Sequence, residues 1–182
     1  MTKPDINFLI VISTFLGYFL GAQFIGESIF ANPLVLIHLM IGSFLTSSGV
    51  AILNEYIERD QDAKMNRTCK RPLPSGRIAP KSALIFGIVV STIGVLELTL
   101  LVNLYSGILS FFTIVVYLFV YTPMKQKSPW NTLIGAIPGA IPPFGGWLAA
   151  TGNITNQALP VFFILFFWQI PHFFSIAWLY KT

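Results

Sequence analysis

Residues 54–81 read NEYIERDQDAKMNRTCKRPLPSGRIAPK and carry most of the charge of this chain. The sequence has 11 Lys and Arg and 7 Asp and Glu residues, and eleven of these eighteen side chains fall within the stretch. Its acidic residues come first, and most of its basic residues follow. Long apolar runs with almost no charge flank it on both sides. This pattern is typical of a polar loop where two membrane helices meet water.

The composition predicts an all-α polytopic membrane protein. Of the 182 residues, 54% are hydrophobic and 10% are charged, whereas an average soluble domain is about 25% charged. The mean hydropathy is +0.73. Apolar runs of about 18 residues or more are long enough to cross a bilayer as helices. We therefore predict six spans, at residues 6–25, 33–53, 82–102, 105–121, 132–150 and 158–180.

The Lys and Arg residues predict the orientation of these spans. They fall at the N-terminus, in the second and fourth loops and at the end of the chain, and the other three connections contain none. The positive-inside rule places that side, with the N-terminus, in the cytoplasm. The basic charge is thus a topology signal and does not indicate nucleic-acid binding. Because no presequence precedes the first span, we expect a multi-pass protein of the cell inner (plasma) membrane.

Asn54, Glu58 and Asp62 form the first candidate site. If the second helix continues to about residue 65, their i, i+4, i+8 spacing drifts by only about 40° per step and places all three on one face. Mg²⁺ prefers oxygen ligands and takes one or two carboxylates, waters and phosphate oxygens. The spacing favours a metal site. The alternative is a solvated helix end whose acidic residues pair with Arg59 and Lys64.

Arg67, Lys70 and Arg71 form the second candidate group, in a segment stiffened by two prolines. Guanidinium groups match phosphate oxygens in a bidentate manner, so acidic residues followed by these basic ones suit a metal-bound diphosphate. The alternative is that they only anchor the topology. We interpret Lys125 and Lys127 as anchors.

The fifth span has an unusual content of proline and glycine. Pro138, Pro142 and Pro143 interrupt helical hydrogen bonding, and broken helices survive at membrane depth against protein or a wet cavity. Gly135 and Gly139 also permit close helix approach. Tight packing and a ligand cavity both remain open. A transporter with a broken-helix site is the alternative from a different functional class.

The pattern Asn54-x-x-x-Glu58-x-x-x-Asp62, followed by NRTCKRPLPSGRI, resembles the first acidic signature of the UbiA-type intramembrane prenyltransferase superfamily. Two later stretches, SPWNTLIGAIPGAIPPFGGWLAATG at 128–152 and WQIPHFFSIAWLYK at 168–181, resemble its protohaem IX farnesyltransferase (haem O synthase) branch. The resemblance implies a helical bundle of about nine spans, of which this chain holds about six.

The resemblance also implies an activity. Farnesyl diphosphate would be ionised with Mg²⁺ as cofactor, and the farnesyl group would pass to a vinyl group of haem B, the second substrate, giving haem O. Asn54, Glu58 and Asp62 take the catalytic metal–diphosphate positions, and Arg67 and Arg71 the diphosphate contacts. The lipid bilayer surrounds the protein, and haem A synthase is an expected partner. The alternative within the superfamily is prenylation of a quinone precursor or a chlorin.

His172 and Trp168, one helical turn apart in the last span, are candidates for haem binding. Ionisable side chains inside a membrane suggest function, and imidazole is a common haem-iron ligand. The alternative is a hydrogen bond from His172 to a carbonyl freed by Pro171. His38 is more simply a packed or hydrogen-bonded polar residue, whereas Glu97 fits a cavity role and a packing role equally.

The superfamily has a second acidic motif, which is expected just after Lys181. The chain stops at Thr182. We therefore expect residues 1–182 to be the N-terminal two-thirds of a single membrane-embedded prenyltransferase domain. Such a fragment would hold half of the metal site and would be inactive by itself.

Overall fold

The computed structural model describes residues 4–125 and 130–179, without the side chains of residues 176 and 177. Over these ranges the protein is a bundle of helices without strands, and six of them are long and apolar enough to cross a membrane. They are α1 (Pro4–Phe24), α2 (Pro33–Asp62), α3 (Pro80–Leu101), α4 (Leu104–Met124), α5 (Asn131–Thr151) and α6 (Ala158–Leu179). The predicted all-α bundle with six spans is confirmed. Lys127 and the basic residues at both chain ends lie outside the described residues.

Helix α2 is the longest element, with 30 residues, and it carries the candidate acidic residues. It starts at Pro33, in the first turn, where the missing proline N–H costs no helical hydrogen bond. The helix then runs unbroken from the apolar stretch through the acidic residues and ends at Asp62, slightly before the end expected near residue 65. The continuous helix gives these acidic side chains fixed positions relative to the membrane span.

Small residues let the helices approach closely. Gly49 of α2 lies directly against Ser91 of α3. Gly17 of α1 lies against the Pro143 carbonyl of α5, and Gly146 of α5 lies against the backbone of α1. Helices in a membrane associate largely by such packing, because lipid tails are as apolar as the side chains themselves. The closest helix contacts are therefore α2 with α3 and α1 with α5.

Buried hydrogen bonds between side chains tie α1 and α4 to α2. The Asn7 amide nitrogen donates to the Ser48 hydroxyl at 2.8 Å, and the Ser110 hydroxyl donates to the Thr46 hydroxyl at 3.1 Å. A polar group without a partner is costly in hydrocarbon. These two bonds therefore help to fix the register of three helices.

Helix α5 is continuous despite its three prolines. Pro138 and Pro143 are buried, Gly139 lies against the Gln169 side chain of α6, and Gly135 lies against the Tyr121 ring of α4. The prolines and glycines thus form the packing surface between neighbouring helices. This favours the packing interpretation, and the broken helix on which the transporter alternative depended is not seen in α5.

His38 and Glu97 pair with each other, between α2 and α3. The His38 Nδ1 atom lies 2.7 Å from the Glu97 Oε1 atom. His38 and Glu58 are about 30 Å apart along the axis of α2, at a rise of 1.5 Å per residue. The pair therefore lies near the opposite end of the bundle from the candidate acidic site.

Candidate functional site

The acidic residues predicted to share a face of α2 are all buried. Asn54 is 2% exposed, Glu58 7% and Asp62 5%, whereas the Asp60 side chain is 81% exposed on the other side of the helix. The i, i+4, i+8 spacing thus turns two carboxylates and an amide toward the protein. The interpretation of this end of α2 as a solvated surface does not describe these side chains.

Both oxygens of Glu58 have protein partners. The Asn54 Nδ2 atom donates to Glu58 Oε2 at 2.8 Å. Lys125, at the end of α4, donates from Nζ to Glu58 Oε1 at 3.1 Å. The carboxylate is thus held from its own helix on one side and from α4 on the other.

Asp62 is held by the loop that follows it. Arg71 donates from Nη1 to Asp62 Oδ2 at 2.7 Å. The buried Thr68 hydroxyl donates to the Asp62 backbone carbonyl at 2.9 Å. Because helix α2 ends here, that carbonyl has no partner within the helix, and it accepts from Thr68 and from the Met65 backbone N–H at 3.3 Å. The loop therefore turns back over the end of α2.

Glu55 also holds this loop against helix α2. It is 3% exposed, and its Oε1 atom accepts a hydrogen bond from the Leu73 backbone N–H at 3.4 Å. Arg77 donates to the Lys70 carbonyl at 2.6 Å. Glu55 is not among the predicted site residues, yet its burial and its bond to Leu73 show that it helps to hold the segment that carries the arginines.

A cavity of about 280 Å³ lies between the end of α2, the loop and the end of α4. Its lining residues are Glu58, Gln61, Asp62, Met65, Arg67, Thr68, Arg71 and Lys125. Arg67 and Arg71 thus face the same space as the two carboxylates. Asn54 does not line the cavity, although it contacts Glu58. Lys70 does not line it either, and its side chain is exposed.

The side chains that line this cavity suit a hard cation that is bound together with an anion. Among the residues that the structure describes, no three His, Cys, Asp or Glu side chains come together as a metal cluster. Mg²⁺ does not require one, because it usually takes one or two carboxylates and completes its shell with waters and phosphate oxygens. Glu58 and Asp62 meet that requirement, and the adjacent arginines suit the phosphate.

Trp168 and His172 lie on α6, which packs against α5. Their rings stack with centroids 4.8 Å apart and an interplanar angle of 15°. Both side chains are exposed, and neither lines the cavity described above. Their predicted role in haem binding stays a prediction.

Two residues of this region were missed by the sequence interpretation. The charge pattern predicts Lys125 to be a topology anchor, but Lys125 pairs with Glu58 and lines the cavity. The Thr122 hydroxyl donates to the Asn54 Oδ1 atom at 2.9 Å. The predicted topology could have indicated both residues, because the fourth span ends on the same side of the membrane as the acidic residues.

Comparison with known proteins agrees with this architecture. The model of the UbiA prenyltransferase family matches residues 10–182. The chain belongs to the UbiA prenyltransferase family. Together with the six apolar helices, this membership makes it a multi-pass membrane protein. The apo structure of a UbiA homologue from Aeropyrum pernix has the same fold, with a TM-score of 0.71 and 22% identity over 88% of this chain and 60% of that one.

Several relatives of this UbiA-family chain are named protoheme IX farnesyltransferase. The protein of Solibacter usitatus is 49% identical over the whole chain, which covers 63% of that relative. Those of Salinibacter ruber and Koribacter versatilis are 42% and 44% identical, and the chain covers 62% and 58% of them. The chain thus spans about three-fifths of the length of these curated relatives.

Proposed function

We propose that the complete gene product transfers a farnesyl group from farnesyl diphosphate to a vinyl group of haem B and so forms haem O. The observation that carries this proposal is the cavity in which Glu58 and Asp62 meet Arg67, Arg71 and Lys125. The names of the relatives support the choice of haem as the acceptor. The family membership supports prenyl transfer as the reaction class.

The difficult step is the departure of diphosphate from the allylic carbon. The C–O bond breaks, and its electron pair leaves with the diphosphate. The π electrons of the vinyl group form a bond from its terminal carbon to the allylic cation, which leaves a cation on the inner vinyl carbon. Water adds to that carbon and loses a proton to solvent, which gives the hydroxyl group of the product. When bound, Mg²⁺ would supply positive charge to the leaving group. Arg67, Arg71 and Lys125 line the cavity and would bind the diphosphate and stabilise its developing charge.

The residues that would hold Mg²⁺ are Glu58 and Asp62. Glu58 is paired with Lys125 at 3.1 Å, and Asp62 is paired with Arg71 at 2.7 Å. Both cations line the cavity, where they would also bind phosphate oxygens. The role of Asn54 as a third ligand stays a prediction. It requires the amide oxygen to leave Thr122, to which it is hydrogen-bonded.

The remaining proposals concern the setting of the reaction. We place the N-terminus in the cytoplasm and the protein in the plasma membrane, with haem bound near Trp168 and His172 and haem A synthase as a partner. Residues 1–182 would be part of one prenyltransferase domain. Expressed alone they are expected to be inactive, because the chain spans only about three-fifths of the length of the curated relatives that it matches.

The test is a haem O assay on membranes that carry the complete gene product, supplied with haem B and farnesyl diphosphate. We expect haem O to form, to disappear with excess EDTA and to return when Mg²⁺ exceeds the chelator. Prenylation of a quinone precursor in place of haem would contradict the proposed acceptor. Haem O formation that EDTA does not affect would contradict the metal site.

A further inference from the structure

Helix α4 contains a π-helical turn, Val116–Tyr121, immediately before Thr122. Pro123 follows, and a proline removes a backbone donor and crowds the preceding turn of a helix. A π-turn inserts about one extra residue and rotates all later side chains by about 100° relative to an uninterrupted α-helix. In this rotated register Thr122 faces Asn54 and Lys125 faces Glu58.

The orientation of the Asn54 amide group follows from its two neighbours, Glu58 and Thr122. Ionised Glu58 can only accept, so the amide group of Asn54 must turn its nitrogen to Glu58, at 2.8 Å. Its oxygen then faces the Thr122 hydroxyl, at 2.9 Å. The Tyr117 carbonyl, which also lies 2.8 Å from that hydroxyl, already accepts the Thr122 backbone N–H. If the hydroxyl donated to this carbonyl instead, the Asn54 and Thr122 oxygens would face each other at 2.9 Å with no proton between them, so we assign the hydroxyl proton to Asn54.

Thr122, Asn54 and Glu58 thus form a buried chain of hydrogen bonds that ends at the cavity. Thr122 is 3% exposed and Asn54 2% exposed, so water does not compete for these bonds. Without the hydroxyl, the Asn54 oxygen would be buried without a donor, and the amide would lose the bond that fixes its rotamer. The Glu58 carboxylate would then lose its fixed donor on the side of α2.

We propose that Thr122, presented by the π-helical turn, is a positioning residue that acts through Asn54 to orient the Glu58 carboxylate for a divalent cation bound with diphosphate. The inference rests on the proposed function for the identity of the ligand. Partners of this kind, one step removed from a metal ligand, change metal affinity by about 10- to 100-fold when they are lost.

The test measures binding directly, on the purified complete gene product in detergent. Mn²⁺ binding in the presence of inorganic pyrophosphate is followed by electron paramagnetic resonance. Thr122→Val is expected to weaken Mn²⁺ binding by about tenfold, and Thr122→Ser, which keeps the hydroxyl, is expected to retain it. Thr113→Val is the matched control, because the Thr113 hydroxyl bonds only the Leu109 carbonyl of its own helix.

A double-mutant cycle tests whether Thr122 acts through the amide. Asn54→Ala alone should weaken binding, and adding Thr122→Val should cause no further loss, because both changes remove the same chain of bonds. Unchanged or tighter Mn²⁺ binding by Thr122→Val overturns the inference, as does a further loss in the Asn54→Ala background. If the valine variant does not fold, Thr122→Ala against Thr122→Ser makes the same comparison, since these two differ only by the hydroxyl group.

Failure of the inference and failure of the proposed function are separable in this design. If the wild-type protein binds Mn²⁺ and pyrophosphate but makes no haem O, the proposed acceptor is wrong. The comparison of Mn²⁺ binding by the Thr122 variants then still decides the role of Thr122. Wild-type protein that binds neither ligand overturns the inference.

Discussion

Each of the two carboxylates that line the cavity is paired with a cation from outside helix α2. Glu58 is paired with Lys125 of α4, and Asp62 with Arg71 of the following loop. The two carboxylate side chains are 9% and 7% exposed, so solvent screens their charges only weakly. Buried charges are retained when they are paired or bind metals. Each pair is neutral by itself, and Arg67 leaves the cavity lining with a net positive charge, which suits an anionic ligand.

The position of Lys125 leads to a prediction about substrate affinity. Lys125→Met removes a cation from the cavity, and the KM for farnesyl diphosphate is expected to rise about tenfold, the value of one charge-assisted hydrogen bond. Steady-state kinetics of the complete gene product measure this. Lys64→Met is the control, because Lys64 is exposed and outside the residues that line the cavity. Equal effects of the two variants would contradict a direct contact with diphosphate.

His172 leads to a second prediction at this scale. If the stacked rings of Trp168 and His172 form part of the haem site, His172→Ala should weaken haem binding several-fold and leave pyrophosphate binding unchanged. Haem titration by absorbance measures the first quantity and calorimetry the second. Phe174→Ala, which removes another exposed ring of α6, is the control. An unchanged haem affinity would leave His172 with only its ring contacts to Trp168 and Phe173.

At the scale of elements, two adjacent glycines of α5 have different surroundings. A Cβ atom at Gly146 would overlap the Thr14 carbonyl of α1, whereas one at Gly145 would meet only the Leu109 side chain, at 4.0 Å. The α1–α5 contact therefore depends on Gly146. At Gly145 a glycine is not needed for helix contact and only lowers the helix propensity of α5.

The pair Gly146→Ala and Gly145→Ala tests this contact. Gly146→Ala is expected to destabilise the protein by about 1–3 kcal/mol through overpacking, while Gly145→Ala is expected to be neutral or to stabilise by up to about 1 kcal/mol. Thermal unfolding of purified protein in one detergent compares them. Equal melting temperatures for the two variants would show that α1 and α5 are not in close contact at this point.

The elements were predictable from the sequence to different degrees. Six spans follow from hydrophobic length, and the continuation of α2 follows from its spacing of acidic residues. The continuity of α5 was not predictable, since proline argues against it and only packing against α1 and α6 compensates. The π-helical turn of α4 was not predictable either, because Pro123 disturbs the turn before it without specifying a π-helical register.

At the scale of the whole molecule, the candidate site is built from residues distant in sequence. The Lys125–Glu58 contact spans 67 positions and the Thr122–Asn54 contact spans 68. Periodicity reports which residues share a face of one helix, but it does not report which helix end lies opposite. The sequence therefore predicted Glu58, Asp62, Arg67 and Arg71 at the site, and it assigned Lys125 to the membrane surface.

The central claim, that Glu58 and Asp62 bind a metal with diphosphate while Arg71 assists, is tested by comparing two ion pairs of similar chemistry. Asp62 and Arg71 pair at 2.7 Å in the cavity, and Asp60 and Arg59 pair at 3.5 Å on the exposed side of α2. A surface pair of the latter kind contributes little to stability.

The measurement is haem O production by membranes that contain equal amounts of inserted protein, for Asp62→Asn and Arg71→Ala against Asp60→Asn and Arg59→Ala. The account predicts that the first two variants lose turnover by at least about 100-fold and that the last two retain it. Normal haem O production by Asp62→Asn or by Arg71→Ala would contradict it.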